Sequence, residues 1–263
     1  MSFMDLVKER WIKNNTLVCV GLDGDIDKIP KKYLESETPL FDFNKDIIDV
    51  TAQYVCCYKP QIAYYNGVGK EKDLELTINY IHNNYPGIPV ILDAKRGDIG
   101  STAQMYAKEA FKRYKADAVT VNPYMGGDTL EPFLSQANKG TIILCRTSNP
   151  GAIDFQDLQI DGKPLYMHIA NKAANEWNKH NNILLVVGAT YPEELKEIRA
   201  VIGDITFLTP GIGAQGGDVK KAVEAGTTPN GTGMIINSSR GIIYADNPGL
   251  AAKTLRDEIN KYR

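Results

Sequence analysis

Eight short apolar runs recur along the chain, and longer charged stretches separate them. Their valine, isoleucine and leucine residues are continuous instead of alternating with polar ones, which is typical of strands buried on both faces. We therefore predict eight strands of a parallel sheet. The runs are TLVCVGLD (16–23), YVCCYKP (54–60), IPVILDAK (88–95), DAVTVNP (117–123), GTIILCRTS (140–148), ILLVVGAT (183–190), DITFLTPG (204–211) and GMIINSSRG (233–241).

The charged stretches between the runs have the composition of helices. Clear examples are 101–116, 192–203, 218–226 and 247–263, and residues 1–15 read as a short amphipathic helix. The longest connection, 149–182, is loop-like in its first half and helix-like in its second. A connection of this length is more often functional than idle.

Strands that alternate with helices indicate right-handed βαβ units around a parallel sheet. Eight such units in 263 residues match the size of a (β/α)8 TIM barrel. We predict this fold as a single domain over 1–263, with an open doubly wound sheet as the alternative. That alternative usually has a G-x-G-x-x-G turn after its first strand, whereas the turn here reads GLDGDIDKIP (21–30).

Composition and charge exclude several classes of protein. Lys and Arg total 30 against 32 for Asp and Glu, so no basic excess indicates a nucleic-acid partner. The apolar runs are far shorter than a membrane span, and the charged N-terminus lacks the apolar core of a secretory signal. Four cysteines within apolar runs indicate buried, reduced thiols and a cytoplasmic protein. Three scattered histidines argue against a histidine triad or a histidine-rich metal site.

Charge is concentrated in LDAKRGDIGST (92–102), directly after an apolar run. Side chains two apart on a strand share a face, so Asp93 and Lys95 should point the same way, with Asp98 just beyond. A simple ion pair at a strand end is the plain interpretation of this segment. Polar residues at the ends of the other predicted strands weaken it, because barrel active sites lie at those ends. The set is Asp23, Lys59, Asp93, Lys95, Ser148 and Arg240.

Glycine-rich turns follow the last two predicted strands, as TPGIGAQGGD (209–218) and NSSRGI (237–242). Such turns, backed by a helix N-terminus, commonly hold phosphate at this position of a barrel. Arg240 adds a forked donor suited to phosphate oxygens, and Gln215 lies where a loop could close over them. The glycines could also serve only to turn the chain.

The segment DAKRGD (93–98) resembles the D-x-K-x-x-D signature of orotidine 5′-phosphate decarboxylases. The similarity extends over nearly the whole chain, and TSNPG with the long connection after strand five resembles one subfamily. Two positions depart from the pattern: Gly24 stands where proline is more usual, and Ser239 where many relatives have glycine. Further matching segments are VGLD (20–23), YKPQIAYY (58–65), VNPYMG (121–126), RTSNPGAIDFQ (146–156), LTPGIGAQGGD (208–218) and SSRGIIYA (238–245).

This resemblance implies cofactor-independent decarboxylation of orotidine 5′-phosphate to UMP and CO2, the last step of UMP biosynthesis. Lys59, Asp93, Lys95 and Asp98 would form an alternating charged network that keeps both lysines protonated despite burial. Lys95 would protonate the product carbon. It also implies a homodimer with shared active sites, in which Asp98 and Thr102 reach the partner's site. Asp23 and Thr102 would contact the ribose, Ser148 and Pro210 the pyrimidine, and Gln215, Ser239 and Arg240 the 5′-phosphate.

Other functions on the same barrel stay open at this point. Magnesium-dependent sugar-phosphate decarboxylases share the D-x-K-x-x-D pattern, but they carry a metal-binding acid where this chain has Lys59. A Schiff-base aldolase would need a neutral lysine, which Asp93 and Asp98 disfavour. A non-catalytic phosphate-binding barrel would keep the charges only for stability, to which buried charge networks contribute poorly. The sequence shows no second domain that would indicate a fused orotate phosphoribosyltransferase. We therefore expect the phosphoribosyltransferase activity on another chain.

Overall fold

The computed structural model describes residues 1–212 and 218–263, and it contains a strand in each of the eight predicted apolar runs. A two-stranded hairpin, formed by β6 and β7, lies outside the main sheet. The strands are β1 (Val18–Gly21), β2 (Cys57–Lys59), β3 (Ile91–Arg96), β4 (Ala118–Val121), β5 (Gly140–Arg146), β6 (Gln159–Ile160), β7 (Lys163–Pro164), β8 (Ile183–Val187), β9 (Phe207–Thr209) and β10 (Met234–Ser238).

Helices fill the intervals between the strands. They are α1 (Phe3–Lys13), α2 (Pro39–Thr51), α3 (Ala63–Asn66), α4 (Glu71–Asn84), α5 (Gly100–Lys108), α6 (Gly127–Leu134), α7 (Leu165–Lys172), α8 (Pro192–Ile202), α9 (Val219–Gly226), α10 (Arg240–Ile243) and α11 (Pro248–Ile259). Short 3₁₀ turns occupy Lys31–Tyr33, Ala52–Tyr54 and Pro150–Asp154. None of the helices in the described residues combines the length and apolar character needed to cross a bilayer.

The main sheet closes on itself. Its strands pair in parallel in the order β2-β1-β10-β9-β8-β5-β4-β3. Between β2 and β3, parallel bridges join Tyr58 to Val90 and Gln61 to Asp93. The amide N–H of Asp93 donates to the carbonyl of Pro60 at 3.0 Å across this seam. The (β/α)8 barrel is confirmed, and the open doubly wound sheet is excluded.

Several helix boundaries follow from local sequence. Pro39, Pro192 and Pro248 begin α2, α8 and α11, where a missing N–H is harmless and a fixed φ favours the helix. The side chain of Asp218 caps α9 by accepting from the N–H of Lys221 at 3.2 Å. The predicted helix over 101–116 is observed as α5 followed by one π-helical turn, Glu109–Arg113.

The long connection after β5 is more ordered than the sequence indicates. Its first half, expected to be loop, contains the 3₁₀ turn Pro150–Asp154 and the β6–β7 hairpin. Its second half is helical as predicted, as α7 and the π-helical turn Ala173–Trp177. The hairpin strands are two residues each and exposed, so they lack the apolar run that marks a buried strand.

The core lies inside the barrel and between the barrel and its helices. Every residue of β1, β2, β4 and β8 is buried, as continuous apolar runs predict. All four cysteines are buried and unpaired, which confirms the expectation of buried free thiols. The barrel therefore leaves only the strand ends and their connections to carry chemistry.

Candidate active site

A cavity of about 380 Å³ opens at the carboxyl ends of the barrel strands. The strand ends therefore deliver to one place side chains that are far apart in sequence, as a parallel barrel requires. Among the predicted residues, those that line this cavity are Asp23, Lys59, Asp93, Pro210, Ser239 and Arg240.

Asp93 holds two lysines at once. Lys59 Nζ donates to its Oδ2 at 3.0 Å, and Lys95 Nζ donates to its Oδ1 at 2.7 Å. Burial acts to raise the pKa of Asp93, but the charges of Lys59 and Lys95 outweigh it and hold that pKa well below its ordinary value. The carboxylate is therefore ionised at neutral pH.

The two lysines differ in environment. Lys59 is 4% exposed, whereas the Lys95 side chain is 46% exposed. Within a single chain, Lys59 is therefore buried as expected, and Lys95 is not. Burial acts to lower the pKa of Lys59, yet the charges of Asp23 and Asp93 outweigh it and raise that pKa. Lys59 is thus a fixed ammonium in the cavity wall. Lys95 and Ser148 are not among the residues that line this cavity, and Lys95 is joined to it through Asp93.

The backbone between Asp93 and Lys95 departs from a regular strand. The pairing of β3 with β4 shifts register between Leu92 and Arg96, and Lys95 has φ of +46°. A left-handed conformation costs a residue with a Cβ about 1–2 kcal/mol. The predicted shared face of Asp93 and Lys95 is observed, but it is produced by a bulge and not by simple alternation.

Asp23, just beyond β1, lines the cavity, and its charge acts on Lys59. Its Oδ1 is enclosed by protein atoms and has no hydrogen-bond partner among the described residues. The preceding residue is fixed, because the Tyr65 hydroxyl donates to the carbonyl of Leu22 at 2.8 Å and itself accepts from Asn44 Nδ2 at 2.8 Å. The carboxylate is therefore held at the cavity with one acceptor unsatisfied, which is rare in folded proteins.

The turn after β10 packs closely on the end of β1. Ser239 Oγ donates to the carbonyl of Gly21 at 3.1 Å, and a Cβ at Gly21 would lie 2.8 Å from that of Ser239. The serine that departs from the family pattern is therefore accommodated by a glycine opposite it. Arg240 follows, exposed, as the first residue of α10. Gln215 lies outside the described residues.

The connection after β5 is tied down around Ser148. Gln156 Oε1 accepts from the N–H of Thr147 at 2.8 Å, and its Nε2 donates to the Thr147 hydroxyl at 2.8 Å. Buried Arg146 anchors the same region through Glu194 on α8, with Nε 2.7 Å from Oε2. Gly188 admits Ser148, since a Cβ there would lie 2.9 Å from the Ser148 Cβ. The arginine and glutamine of RTSNPGAIDFQ thus hold the loop that carries Ser148.

Asp98 and Thr102 are not drawn into the cavity of their own chain. Asp98 accepts from the backbone N–H of Ile99 at 2.8 Å and makes no ion pair with another described residue. Thr102 is exposed in the first turn of α5. Their assigned roles stay predictions, and both side chains remain accessible to a second molecule.

The sequence did not single out three residues at this site. Tyr64 and Asn237 line the cavity, and Thr120 on β4 bonds to Asp93. A polar residue within the apolar run AVTV was the available signal for Thr120, but threonine is common in strands. In residues 1–212 and 218–263, no group of three or more His, Cys, Asp or Glu side chains is arranged to hold a metal ion.

These observations define a site that suits anionic ligands and that itself contains several charged side chains. An exposed arginine and the Lys59–Asp93 ion pair line one cavity, and Asp93 also binds the ammonium of Lys95. Charges preorganised in this way can stabilise negative charge that develops on a ligand. Lys95 also carries a proton that it can deliver.

Comparisons with known proteins agree with the motif resemblance. The family model described as the orotidine 5′-phosphate decarboxylase / HUMPS family matches residues 16–255. A protein of Cellvibrio japonicus named orotidine 5′-phosphate decarboxylase is 55% identical, with 100% of both chains covered. The solved structure of Leishmania donovani OMP decarboxylase has a TM-score of 0.89 and 40% identity over 100% of this chain and 98% of its own. That of Leishmania donovani UMP synthase has a TM-score of 0.91 and 42% identity; all of this chain aligns to 56% of it.

Proposed function

Because the chain belongs to the orotidine 5′-phosphate decarboxylase family, we propose that its barrel-mouth residues carry out this reaction as described below. The protein is a carboxy-lyase that converts orotidine 5′-phosphate to UMP and CO2 in pyrimidine biosynthesis. The proposed roles of individual residues rest on the cavity geometry and on the matching motifs. We propose further that residues 1–263 act as one catalytic domain in the cytoplasm, without a cofactor.

The bond that breaks joins C6 of the pyrimidine to its carboxylate. CO2 departs, and the electron pair stays in an sp² orbital on C6, out of conjugation with the ring. Lys95 is the group proposed to face this carbon, because its half-exposed ammonium is anchored on Asp93, which lines the cavity. Its charge stabilises the developing carbanion, and its proton then forms the new C6–H bond.

Asp93 and Lys59 are proposed to set the field in which Lys95 acts. The carboxylate of Asp93 would lie near the departing carboxylate, and their repulsion is relieved as CO2 forms. Lys59 compensates Asp93 from the buried side at 3.0 Å, so the carboxylate stays ionised. Asp98, from the partner subunit, would complete the alternating charges.

The remaining residues are proposed to bind the substrate away from the reacting carbon. Asp23, which lines the cavity, would accept from a ribose hydroxyl, with Thr102 contacting the ribose from the partner. Ser148 and Pro210 would contact the pyrimidine. Arg240, Gln215 and the turn that contains Ser239 would bind the 5′-phosphate. Phosphate binding can then assist a reaction at a distance by fixing the substrate.

The observation that carries this proposal is the Lys59–Asp93–Lys95 array at the mouth of the barrel. The test is the absorbance change of orotidine 5′-phosphate on incubation with the purified protein and EDTA. We expect full turnover with the chelator present. Activity lost in EDTA and restored by Mg²⁺ would favour a metal-dependent sugar-phosphate decarboxylase. Binding of the phosphate-bearing substrate without turnover would favour the non-catalytic phosphate-binding barrel.

We also propose a homodimer with shared active sites. Large apolar side chains are exposed in the connections after β3 and β4, and exposed apolar surface can mark an interaction site. They are Ile99 (62% exposed), Met105 (61%), Tyr124 (84%) and Met125 (41%). Asp98 lies within the same surface and points to no partner charge in its own chain.

Mixing two inactive variants tests this arrangement. Lys95→Ala and Asp98→Ala are unfolded together and refolded, with subunit exchange confirmed by differently tagged chains. If Asp98 acts across the interface, half of the dimers are mixed and one of their two sites is intact, so about a quarter of wild-type activity returns. A mixture as inactive as its parents would place Asp98 in its own chain's site.

A further inference from the structure

The hydroxyl of Thr120 touches both functional residues of β3 and the backbone that connects them. It donates to Asp93 Oδ1 at 2.8 Å and accepts from the N–H groups of Ala94 and Lys95, each at 2.9 Å. Thr120 is 1% exposed on β4, so water cannot replace these bonds. One buried oxygen thus satisfies two consecutive amide donors at the register shift between β3 and β4.

The bulge needs such a partner. Lys95 is held at φ of +46°, which a residue with a Cβ rarely adopts, and regular pairing with β4 is interrupted there. In a regular ladder only one of two consecutive amides points toward β4, whereas at this bulge both do, and the Thr120 oxygen accepts from each. The same hydroxyl fixes the Asp93 oxygen to which Lys95 Nζ bonds at 2.7 Å.

We propose that Thr120 is a positioning residue for decarboxylation, which locks the β3 bulge so that Asp93 and Lys95 face the substrate together. The inference rests on the proposed roles of Asp93 and Lys95. Thr120 itself contacts neither substrate nor reacting atoms; it acts through the two residues that do. Its effect should fall on the reaction step, since the residues proposed to bind the phosphate and the ribose make no hydrogen bond to Thr120 among those described.

Valine has the shape of threonine without the hydroxyl, so Thr120→Val removes all three bonds with little change in volume. Misplacement by about 1 Å can slow an enzyme about 100-fold. We expect kcat for orotidine 5′-phosphate to fall about 100-fold, with KM changed by less than about threefold. Thr120→Ser restores the oxygen and should recover kcat to within about threefold of wild type.

Thr141→Val is the matched control. Thr141 is a buried strand threonine on β5 whose hydroxyl has no partner among the described residues, so its kcat and KM should match wild type. If Thr120→Val does not fold, Thr120→Ser and Thr120→Ala, which differ by one oxygen, provide the comparison. We then expect the serine variant to exceed the alanine variant at least tenfold in kcat.

The split between kcat and KM, together with rescue by serine, separates positioning from general destabilisation. A variant that is only less stable keeps wild-type kcat per folded active site, so kcat is referred to the folded fraction measured by circular dichroism. Wild-type kcat in Thr120→Val would overturn the proposal. If the wild-type enzyme and Thr141→Val were both inactive, the result would instead refute the assigned decarboxylase activity.

Discussion

Replacing Asp93 with asparagine should destabilise the protein more than replacing either lysine that it binds. The substitution keeps the shape of the side chain and removes its charge. Lys59, at 4% exposure, then loses the carboxylate 3.0 Å from its Nζ and keeps its own charge in the wall of the barrel. Lys95 is far less affected, because its side chain is 46% exposed and water can solvate it.

The loss of unfolding free energy in each variant depends on which charged group is left without its ion-pair partner. Removing one partner of a buried ion pair costs about 3–5 kcal/mol, and the lower end applies because the charge of Asp23 still acts on Lys59. Lys59→Met leaves Asp93 bonded to Lys95 and Thr120 and should cost about 1–2 kcal/mol. Lys95→Ala should cost less than about 1 kcal/mol, as for other exposed pairs.

Urea unfolding followed by circular dichroism measures these differences. With a slope of about 3 kcal/mol per molar urea, Asp93→Asn should lower the midpoint by about 1 M. The double variant Lys59→Met/Asp93→Asn should be no less stable than Asp93→Asn alone, since the uncompensated charge is gone. Glu176→Gln, in an exposed ion pair with Lys172, is the control and should shift the midpoint little. Equal losses for Asp93→Asn and Lys59→Met would refute this reasoning.

Further predictions concern pH, phosphate binding and the loop that carries Ser148. The pKa of Asp93 is depressed by folding, so its stabilisation is present above the ordinary carboxyl pKa of about 4 and is lost as pH falls through the lower folded value. The stability gap between wild type and Asp93→Asn, measured by urea unfolding, should therefore be constant from about pH 5 to 8 and narrow below about pH 4. Arg240→Ala should weaken competitive inhibition by UMP about 10- to 100-fold, corresponding to about 1.5–3 kcal/mol for a charged contact, and leave inhibition by uridine unchanged. Equal losses for both would place Arg240 outside the phosphate site. Glu194→Gln should cost about 2 kcal/mol in urea unfolding, because buried Arg146 then keeps, within residues 1–212 and 218–263, only Asp157 as a charged partner. An unchanged midpoint would contradict that role.

The barrel was predictable because its strands are encoded locally. Runs such as TLVCVGLD and ILLVVGAT are apolar without interruption, and only a sheet covered on both faces requires this. Charged residues at the ends of those runs then converge by topology alone, and this brought Asp23, Lys59 and Asp93 to one cavity. The β6–β7 hairpin lacked such a signal, because its short strands are exposed.

Contacts between distant residues were not predictable in the same way. The bulge at Lys95 depends on how β3 pairs with β4, and no pattern within DAKRGD reveals that Thr120 accepts from its amides. Arg146 and Glu194 are 48 positions apart and meet only once β5 and α8 are in place. The exposure of Lys95 also depends on its neighbours in the fold, and the family resemblance wrongly implied that both lysines are buried.

Turnover of orotidine 5′-phosphate by purified Lys95→Ala tests the central claim most directly. The substitution removes the ammonium that is proposed to stabilise the carbanion and to protonate C6, and it leaves the array of Lys59 and Asp93 intact. Loss of electrostatic stabilisation and of proton transfer together should lower kcat by at least about 10⁴-fold. The circular dichroism spectrum and the affinity for UMP should stay close to wild type. A folded Lys95→Ala variant with kcat within about tenfold of wild type would contradict the assignment of Lys95 as the proton donor.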